Sequence, residues 1–158
     1  KRILELGTAI GYSSIFMAEV LSGNCEIDTI EKNYNMYEIA KKNIDNSNYK
    51  INPIFGDAID ELTKLDKNYD FVFIDAAKGH YREFFDLIYP ILSDDGIIIS
   101  DNMLHKGLVC LSLEDVPRRQ RTIARNMKSF IEYIYDNPQL KTSLIPIGDG
   151  VMINNVIK

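Results

Sequence analysis

A short stretch near the start of the chain decides the fold, because there an apolar strand runs into a glycine-bearing turn: Ile3-Leu4-Glu5-Leu6-Gly7-Thr8-Ala9-Ile10-Gly11. The apolar run ending at Leu6 is typical of a buried strand, and a helical pattern follows Gly11. Glycine lets the backbone turn sharply and approach a ligand closely. In an open parallel sheet, ligands bind beyond the carboxyl ends of the strands, at the switch point beside strand one. The stretch therefore predicts a ligand site at the end of the first strand.

Outward from this turn, the chain alternates strands with helices. The predicted strands cover residues 2–6, 26–31, 50–55, 69–74 and 97–100, and the predicted helices cover 12–21, 34–44, 58–65, 80–92 and 120–135. A turn at 94–96 is expected to introduce the fifth strand, and residues 103–117 form a long connection that is a candidate active-site loop.

The tail of the chain has a different pattern. Residues 141–147 and 151–157 read as strands, and the Gly148-Asp149-Gly150 turn between them predicts an antiparallel hairpin. The whole pattern predicts an α/β fold with a doubly wound, Rossmann-like sheet that is mostly parallel and ends in an antiparallel hairpin. We expect a single domain over residues 1–158.

Composition limits the classes of protein. The hydrophobic fraction of 46% and the charged fraction of 26% are those of an ordinary globular domain. No apolar run approaches the roughly 20 residues that span a bilayer, so we expect no membrane association and a cytoplasmic location. Cys25 and Cys110 are expected to be free thiols. A net charge of −5 does not suggest general attraction to nucleic acid, so such binding would need a local basic patch.

The pattern at the end of strand one favours a nucleoside without phosphates. The Gly-x-x-x-Gly spacing is not that of dinucleotide enzymes, and the turn has neither a basic residue nor a P-loop lysine. Glu31, at the end of strand two, could accept hydrogen bonds from ribose hydroxyls, and Asp57, after strand three, from an adenine amino group. These features fit S-adenosylmethionine better than NAD or ATP. Alternatively, the glycines form only a tight turn and both acids are helix caps.

Polar side chains also follow strands four and five. Asp75 ends strand four, and Asp101 and Asn102 end strand five on the same rim of the sheet. Two carboxylates and an amide oxygen form a hard donor set suited to Mg²⁺ or a similar divalent cation. A cation would also relieve the repulsion between converging carboxylates. The alternative is that Asp75 caps a helix and the other two form a turn.

Basic residues cluster after the candidate active-site loop. Arg118, Arg121, Arg125 and Lys128 would share one helix face at steps of three and four residues, and Arg119 lies beside them. A basic face next to a catalytic pocket is what a phosphate backbone requires, so it predicts tRNA binding. The alternative is a solvated face paired with nearby Glu114, Asp115 or Glu132. His80 and His105 could line the substrate site, although each also suits a helix start or a loop.

Several of these stretches resemble the cation-dependent O-methyltransferases, the family that contains caffeoyl-CoA and catechol O-methyltransferases. The matching stretches span nearly the whole chain, and they are 3–14, 73–78, 100–102, 106–107 and 146–150. Within the family, the chain is most similar to bacterial members that methylate 5-hydroxyuridine in tRNA. The resemblance implies a class I methyltransferase fold and a homodimer. It also implies helices upstream of strand one, which this sequence is expected to lack. Small catechol-like or hydroxycinnamoyl substrates are the alternative to tRNA.

The resemblance also implies roles for individual residues. Gly7, Thr8 and Ser13 would contact the methionine part of S-adenosylmethionine, and Ala58 would join Asp57 at the adenine. Asp75, Asp101 and Asn102 would bind the metal, and Asp75 would also take part in cofactor binding and catalysis. Lys78 matches a lysine suggested as a base in plant relatives, and it is equally compatible with a solvated helix start. Plant relatives often carry a second aspartate where this chain has Ala77.

Overall fold

The strands of the protein form one sheet. The computed structural model describes residues 1–76 and 79–157, and in these residues the sheet has the order β3-β2-β1-β4-β5-β7-β6. The strands are β1 (Arg2–Leu6), β2 (Glu26–Glu31), β3 (Ile51–Phe55), β4 (Tyr69–Ile74), β5 (Leu92–Ser100), β6 (Leu140–Ile145) and β7 (Val151–Val156). The first five strands pair in parallel, and β7 is antiparallel to both β5 and β6. The predicted doubly wound sheet with a C-terminal hairpin is therefore confirmed.

Helices cover both faces of this sheet. They are α1 (Tyr12–Val20), α2 (Tyr34–Asp45), α3 (Ala58–Leu62), α4 (Tyr81–Ile88) and α5 (Arg121–Tyr135). One hydrophobic cluster packs α1 and α2 against β1 and β2, and a larger cluster packs α3, α4 and α5 against the opposite face. In α5 the buried residues Ala124, Met127, Phe130 and Ile134 follow steps of three and four, as helical periodicity requires.

The largest differences from the predicted element boundaries lie in α4 and β5. Residues 80–92 were expected to form one helix, but α4 ends at Ile88 and Pro90 lies in a 3₁₀ turn over Tyr89–Ile91. Proline cannot donate the backbone hydrogen bond that a continuing helix needs, so the turn tightens there. The predicted turn at 94–96 is wrong as well, because β5 already begins at Leu92. Its pairing with β4 steps from Leu92 to Ile97, so these residues form an irregular segment within the strand.

The strand order places the functional end of the molecule. The order reverses between β1 and β4, which makes the gap beyond their carboxyl ends the switch point of the sheet. The amides of Gly7, Asp75 and Asp101 continue the strand ladders, donating to Ile30, Leu6 and Ile74. These hydrogen bonds hold the first residues after three strands at fixed positions on one rim. In the described residues, no helix is long and apolar enough to cross a membrane.

Candidate active site

A cavity of about 380 Å³ opens at the switch point of the sheet. Its walls are formed by the ends of β1, β2, β3 and β4 and by the first turns of α3 and α4. Its lining residues are Gly7, Ile30, Glu31, Lys32, Gly56, Asp57, Ala58, Ile59, Asp75, Ala76, His80 and Phe84. Of the predicted cofactor residues, Gly7, Glu31, Asp57, Ala58 and Asp75 line it, whereas Thr8 and Ser13 do not.

Gly7 is required by the geometry at the floor of the cavity. Its φ is 104°, and a Cβ atom on it would lie 2.1 Å from the carbonyl oxygen of Asp75. The backbones after β1 and β4 can approach this closely only because the side chain is absent. Gly11 has a φ of 84° and packs against Ala40 and Ile44 of α2, which fixes the start of α1.

Beneath the turn, Glu5 forms a buried polar network. Its carboxylate is fully buried and accepts hydrogen bonds from the hydroxyls of Ser13, Ser14 and Thr29, the last at 2.5 Å. Burial raises the pKa of Glu5, and the three hydroxyl donors partly oppose that shift. The network joins β1, β2 and α1, so it holds the glycine turn in place. Its signal in the sequence is an acidic residue next to the end of the first strand followed by the adjacent serines 13 and 14.

Thr8 and Ser13 take part in this network rather than in the cavity wall. The hydroxyl of Thr8 is buried and lies 2.6 Å from the hydroxyl of Thr29, and the hydroxyl of Ser13 donates to Glu5. The contact of Thr8 and Ser13 with the methionine part of the cofactor stays a prediction, and in the structure their hydroxyls face Thr29 and Glu5 respectively. They shape the turn that would receive the methionine part.

Glu31 links the glycine turn to the start of α2. One carboxylate oxygen accepts the amide of Ala9 at 2.8 Å, and the other accepts the amide of Asn33 at 2.7 Å. Each carboxylate oxygen can accept more than one hydrogen bond, so both can also receive a ribose hydroxyl. The N-cap of α2 is Asn33, so the alternative reading of Glu31 as a helix cap is wrong. Glu31 lines the cavity, and its binding of the ribose stays a prediction.

The adenine end of the cavity combines Asp57 with apolar walls. Asp57 accepts the amide of Ile59 at 3.0 Å as the N-cap of α3, so the alternative reading of this residue as a cap is confirmed. Its second carboxylate oxygen suits an exocyclic amino group. Ile30, Ile59 and Phe84 supply apolar surface that periodicity alone could not assign to the cavity, because they come from three separate elements.

The three predicted metal ligands lie together beside the cavity. The side-chain amide of Asn102 donates to Oδ1 of Asp75 at 3.0 Å. The backbone amide of Asn102 donates to Oδ1 of Asp101 at 2.6 Å. Asn102 has a φ of 61°, a left-handed conformation that asparagine tolerates better than most residues. A rotation of the Asn102 amide would present its oxygen on the same side as Asp75. Because Asp75 also lines the cavity, these three residues lie next to the space in which a cofactor would bind.

The charges around the three predicted metal ligands favour a bound cation. The Tyr81 hydroxyl donates to the carbonyl oxygen of Asp101 at 2.7 Å. Burial raises the pKa of Tyr81, and the carboxylates of Asp75, Asp101 and Asp149 raise it further. Negative charge therefore converges here, as a divalent cation requires. Residues 1–76 and 79–157 contain no group of three or more His, Cys, Asp and Glu side chains suited to a metal, and the predicted set has two carboxylates and an amide.

The predicted basic face is only partly available to a ligand. Arg121 donates from Nε to the carbonyl of Val116 at 2.9 Å and from Nη2 to the carbonyl of Glu114 at 2.8 Å. Lys128 donates to the carbonyl of Leu111. These cations bond to carbonyl oxygens of the candidate active-site loop rather than to its carboxylates, and phosphate binding by Arg121 stays a prediction. Arg118, Arg119 and Arg125 are exposed, and the first two lie in a 3₁₀ turn ahead of α5.

The remaining residues of the predicted site are Lys78, His80 and His105. Lys78, the predicted base, lies outside the described residues together with Ala77. His80 lines the cavity, and its Nδ1 lies 2.5 Å from the carboxylate of Glu83. His105 is buried, and both of its ring nitrogens lack a hydrogen-bond partner among the described residues.

Solved structures of O-methyltransferases share this fold. The O-methyltransferase TomG from Streptomyces achromogenes, solved with S-adenosylmethionine, superposes with a TM-score of 0.86 at 26% identity over 99% of this chain and 73% of that chain. A protein of Staphylococcus aureus, provisionally named a caffeoyl-CoA O-methyltransferase, gives 0.90 at 34% identity over 99% of this chain and 76% of that chain.

Sequence comparison gives the family. A family model described as O-methyltransferase matches residues 1–157, and the chain therefore belongs to that family. It is 32% identical to a caffeoyl-CoA O-methyltransferase of Populus kitakamiensis over 97% of this chain and 68% of that protein. It is 36% identical to a catechol O-methyltransferase of Niastella koreensis over 69% of this chain and 52% of that protein.

These findings confirm the expected activity at a coarse level. The chain is an S-adenosylmethionine-dependent O-methyltransferase of the caffeoyl-CoA and catechol type. They favour the small-molecule alternative over the tRNA substrate, because the named relatives are caffeoyl-CoA and catechol O-methyltransferases.

Proposed function

We propose that this protein methylates one hydroxyl of a small catechol-like or hydroxycinnamoyl substrate, with a divalent cation such as Mg²⁺ held by Asp75, Asp101 and Asn102. The observation that carries the proposal is that Asp75 lines the cofactor cavity and also bonds to Asn102. Asp75 thus belongs both to the cavity proposed for the cofactor and to the proposed metal site, so the methyl donor and the acceptor oxygen would meet beside it.

The residues of the chain account for binding and alignment. The turn at Gly7 and the carboxylate of Glu31 would orient the methionine and ribose parts of the cofactor, and Asp57 the adenine. When bound, a divalent cation supplies a Lewis acid that lowers the pKa of an acceptor hydroxyl. Asp75, Asp101 and Asn102 would fix its position relative to the cavity. Alignment of this kind can lower a barrier by several kcal/mol, up to about 7–11 kcal/mol in the best cases.

Two adjacent oxygens on the substrate explain the choice of catechol-like acceptors. A catechol and a caffeoyl ring each offer a pair of neighbouring oxygens that can share one cation. The O5 and O4 atoms of 5-hydroxyuridine offer a similar pair, so tRNA is the second candidate. The observation that favours tRNA is the exposure of Arg118, Arg119 and Arg125 beside the loop. A cytoplasmic location and a homodimer are part of the same proposal.

A transfer assay with labelled S-adenosylmethionine separates these substrates. Catechol, caffeate, caffeoyl-CoA and tRNA carrying 5-hydroxyuridine would be offered in parallel, each with Mg²⁺ and with EDTA. We expect methylation of at least one of the catechol-type acceptors, lost with EDTA. Turnover of the tRNA with no turnover of any small acceptor would overturn the proposal in favour of the second candidate.

Substitution of one ligand tests the role of the cation separately. Asp101→Ala should lower kcat by roughly two orders of magnitude or more, because the acceptor hydroxyl loses its activating partner. Asp95→Ala removes an exposed carboxylate at the other end of β5 and serves as the matched control. Equal turnover in the two variants would contradict the assigned metal site.

A further inference from the structure

The turn between β6 and β7 is joined to the segment that follows Asn102. The amide of Met103 donates to the carbonyl of Gly150 at 2.8 Å, and the amide of Leu104 donates to the carbonyl of Asp149 at 2.7 Å. The amide of Lys106 donates to the carboxylate of Asp149. Residues 103–106 are thus held from outside by a turn that is more than forty residues away in the sequence.

This segment needs outside support, because its backbone is strained. Asn102, His105 and Lys106 have φ values of 61°, 47° and 57°, all in the left-handed region. That conformation is strained for residues other than glycine, and asparagine tolerates it better than histidine or lysine does. Such residues persist where the surrounding structure fixes them, and they occur often at functional sites. Of these three residues, Lys106 is bonded directly to the turn, and the bonded Met103 and Leu104 lie between Asn102 and His105.

Gly150 shows how close the two segments lie. A Cβ atom on it would meet the backbone nitrogen of Leu104 at 2.9 Å and its Cγ at 2.4 Å. Gly148, in the same turn, also has a positive φ, but a Cβ atom there would meet nothing within 4 Å. Only one of the two glycines is therefore required by contact with the segment.

We propose that Asp149 is a positioning residue, which acts with the backbone of its turn to hold Asn102 and Asp101 in the arrangement that binds the cation. Its carboxylate and its carbonyl each accept an amide from the segment after Asn102, so it fixes that residue without reaching the substrate. Tyr81 holds the same pair from the other side through the carbonyl of Asp101. The inference rests on the metal site of the proposed function.

Binding of Mn²⁺ alone, followed by electron paramagnetic resonance, tests the inference without turnover. Asp149→Ala should weaken Mn²⁺ binding by roughly 10- to 100-fold, as loss of a residue supporting a metal ligand generally does. Asp149→Asn should bind within roughly threefold of the wild type, because the amide oxygen still accepts the Lys106 amide. Wild-type affinity in Asp149→Ala would overturn the inference.

Amide hydrogen exchange separates positioning from general stability. Asp149→Ala should speed exchange at residues 103–106 and leave β1 and β4 unchanged, because only the local hydrogen bonds are lost. A uniform increase throughout the sheet would instead mean a merely structural role and would overturn the inference. If Asp149→Ala does not fold, Gly150→Ala and its control Gly148→Ala replace it, and equal Mn²⁺ binding by these two would overturn the inference.

The same measurements distinguish failure of the inference from failure of the proposed function. A wild-type protein that binds no Mn²⁺ would contradict the proposed metal site. In that case the inference is overturned together with the metal site, whereas Mn²⁺ binding by the wild type with equal affinity in Asp149→Ala overturns the inference alone.

Discussion

At the scale of single residues, the site depends on Gly7 and Glu5, which lie at and beneath the turn after β1. Gly7 combines a positive φ with a backbone contact that leaves no room for a Cβ atom. Glu5 is a fully buried acid whose partners are all hydroxyls. The first residue sets the shape of the cavity floor, and the second holds that floor to the neighbouring strand and helix.

Substitution of Gly7 should disturb both folding and cofactor binding. Gly7→Ala should lower the free energy of unfolding by about 3 kcal/mol or more, since a left-handed alanine is strained and also meets the carbonyl of Asp75. Gly148→Ala carries the strain without the contact and should cost about 1 kcal/mol. Urea unfolding gives both values, and calorimetry with S-adenosylhomocysteine should show weaker binding only for Gly7→Ala. Equal effects of the two changes would contradict the contact.

The buried carboxyl of Glu5 should make stability depend on pH. Its pKa is raised in the folded protein, so folding is favoured most below the unfolded value of about 4.3 and this contribution falls as pH rises through the folded pKa. Glu5→Gln removes the titration. We therefore expect the melting temperature of the variant to improve relative to wild type as pH rises above that value.

Thermal unfolding across a pH series measures this difference. Glu19→Gln, an exposed change on α1, is the control and should show a constant offset from the wild type. A constant offset for Glu5→Gln as well would show that burial does not raise the pKa of Glu5.

At the scale of secondary-structure elements, α5 secures the candidate active-site loop. Its first residue, Arg121, bonds to two loop carbonyls, and Lys128, two turns later, bonds to a third. Its opposite face is buried against the sheet through Met127, Phe130 and Ile134. A basic face that resembles a nucleic-acid site in the sequence is thus used in part to attach a loop to a helix.

Loss of Arg121 should free the loop. Arg121→Ala should lower the free energy of unfolding by about 1–3 kcal/mol, because two charge-assisted hydrogen bonds are lost. Proteolytic cleavage within residues 111–117 should become faster. Arg125→Ala, an exposed change one turn further along α5, is the matched control and should leave both measurements unchanged. Equal cleavage in the two variants would contradict the assigned role of Arg121.

At the scale of the whole molecule, the strand order brings five separate sequence segments to one rim. The ends of β1, β2 and β3 hold the cofactor residues, and the ends of β4 and β5 hold the proposed metal ligands. The two groups share Asp75 but otherwise come from different strands. The cofactor half and the metal half should therefore be separable in binding experiments.

Removal of divalent cations should leave cofactor binding largely intact. With EDTA, we expect S-adenosylhomocysteine to bind within roughly tenfold of its affinity in Mg²⁺, because Gly7, Glu31 and Asp57 do not depend on the cation. Methyl transfer should be lost under the same conditions and return when Mg²⁺ is added. Loss of S-adenosylhomocysteine binding together with transfer would mean that the two halves are not independent.

The predicted homodimer belongs to this scale as well. Sedimentation equilibrium should give twice the mass of one chain, and a single-chain mass at micromolar concentration would contradict the prediction.

The sequence by itself was enough for the sheet, the glycine turn and the residues at the strand ends, because these depend on local patterns. Period-two and period-three-to-four spacing, a glycine turn and polar residues after apolar runs each have a local physical cause. The parallel register of the strands then brings Glu31, Asp57, Asp75 and Asp101 to one rim without further information. The family resemblance follows from the same local stretches.

Only the tertiary structure decided which partner each side chain has. Ser13 bonds to the carboxylate of Glu5, and Thr8 lies within hydrogen-bond distance of the Thr29 hydroxyl. Arg121 bonds to loop carbonyls, and Asp149 accepts amides from residues 104 and 106 across the sheet rim. These contacts join segments that are distant in the sequence, and a sequence pattern describes only neighbours along the chain. The choice between binding a ligand and binding the protein itself is made by packing, since each donor or acceptor takes the partner that packing places within reach.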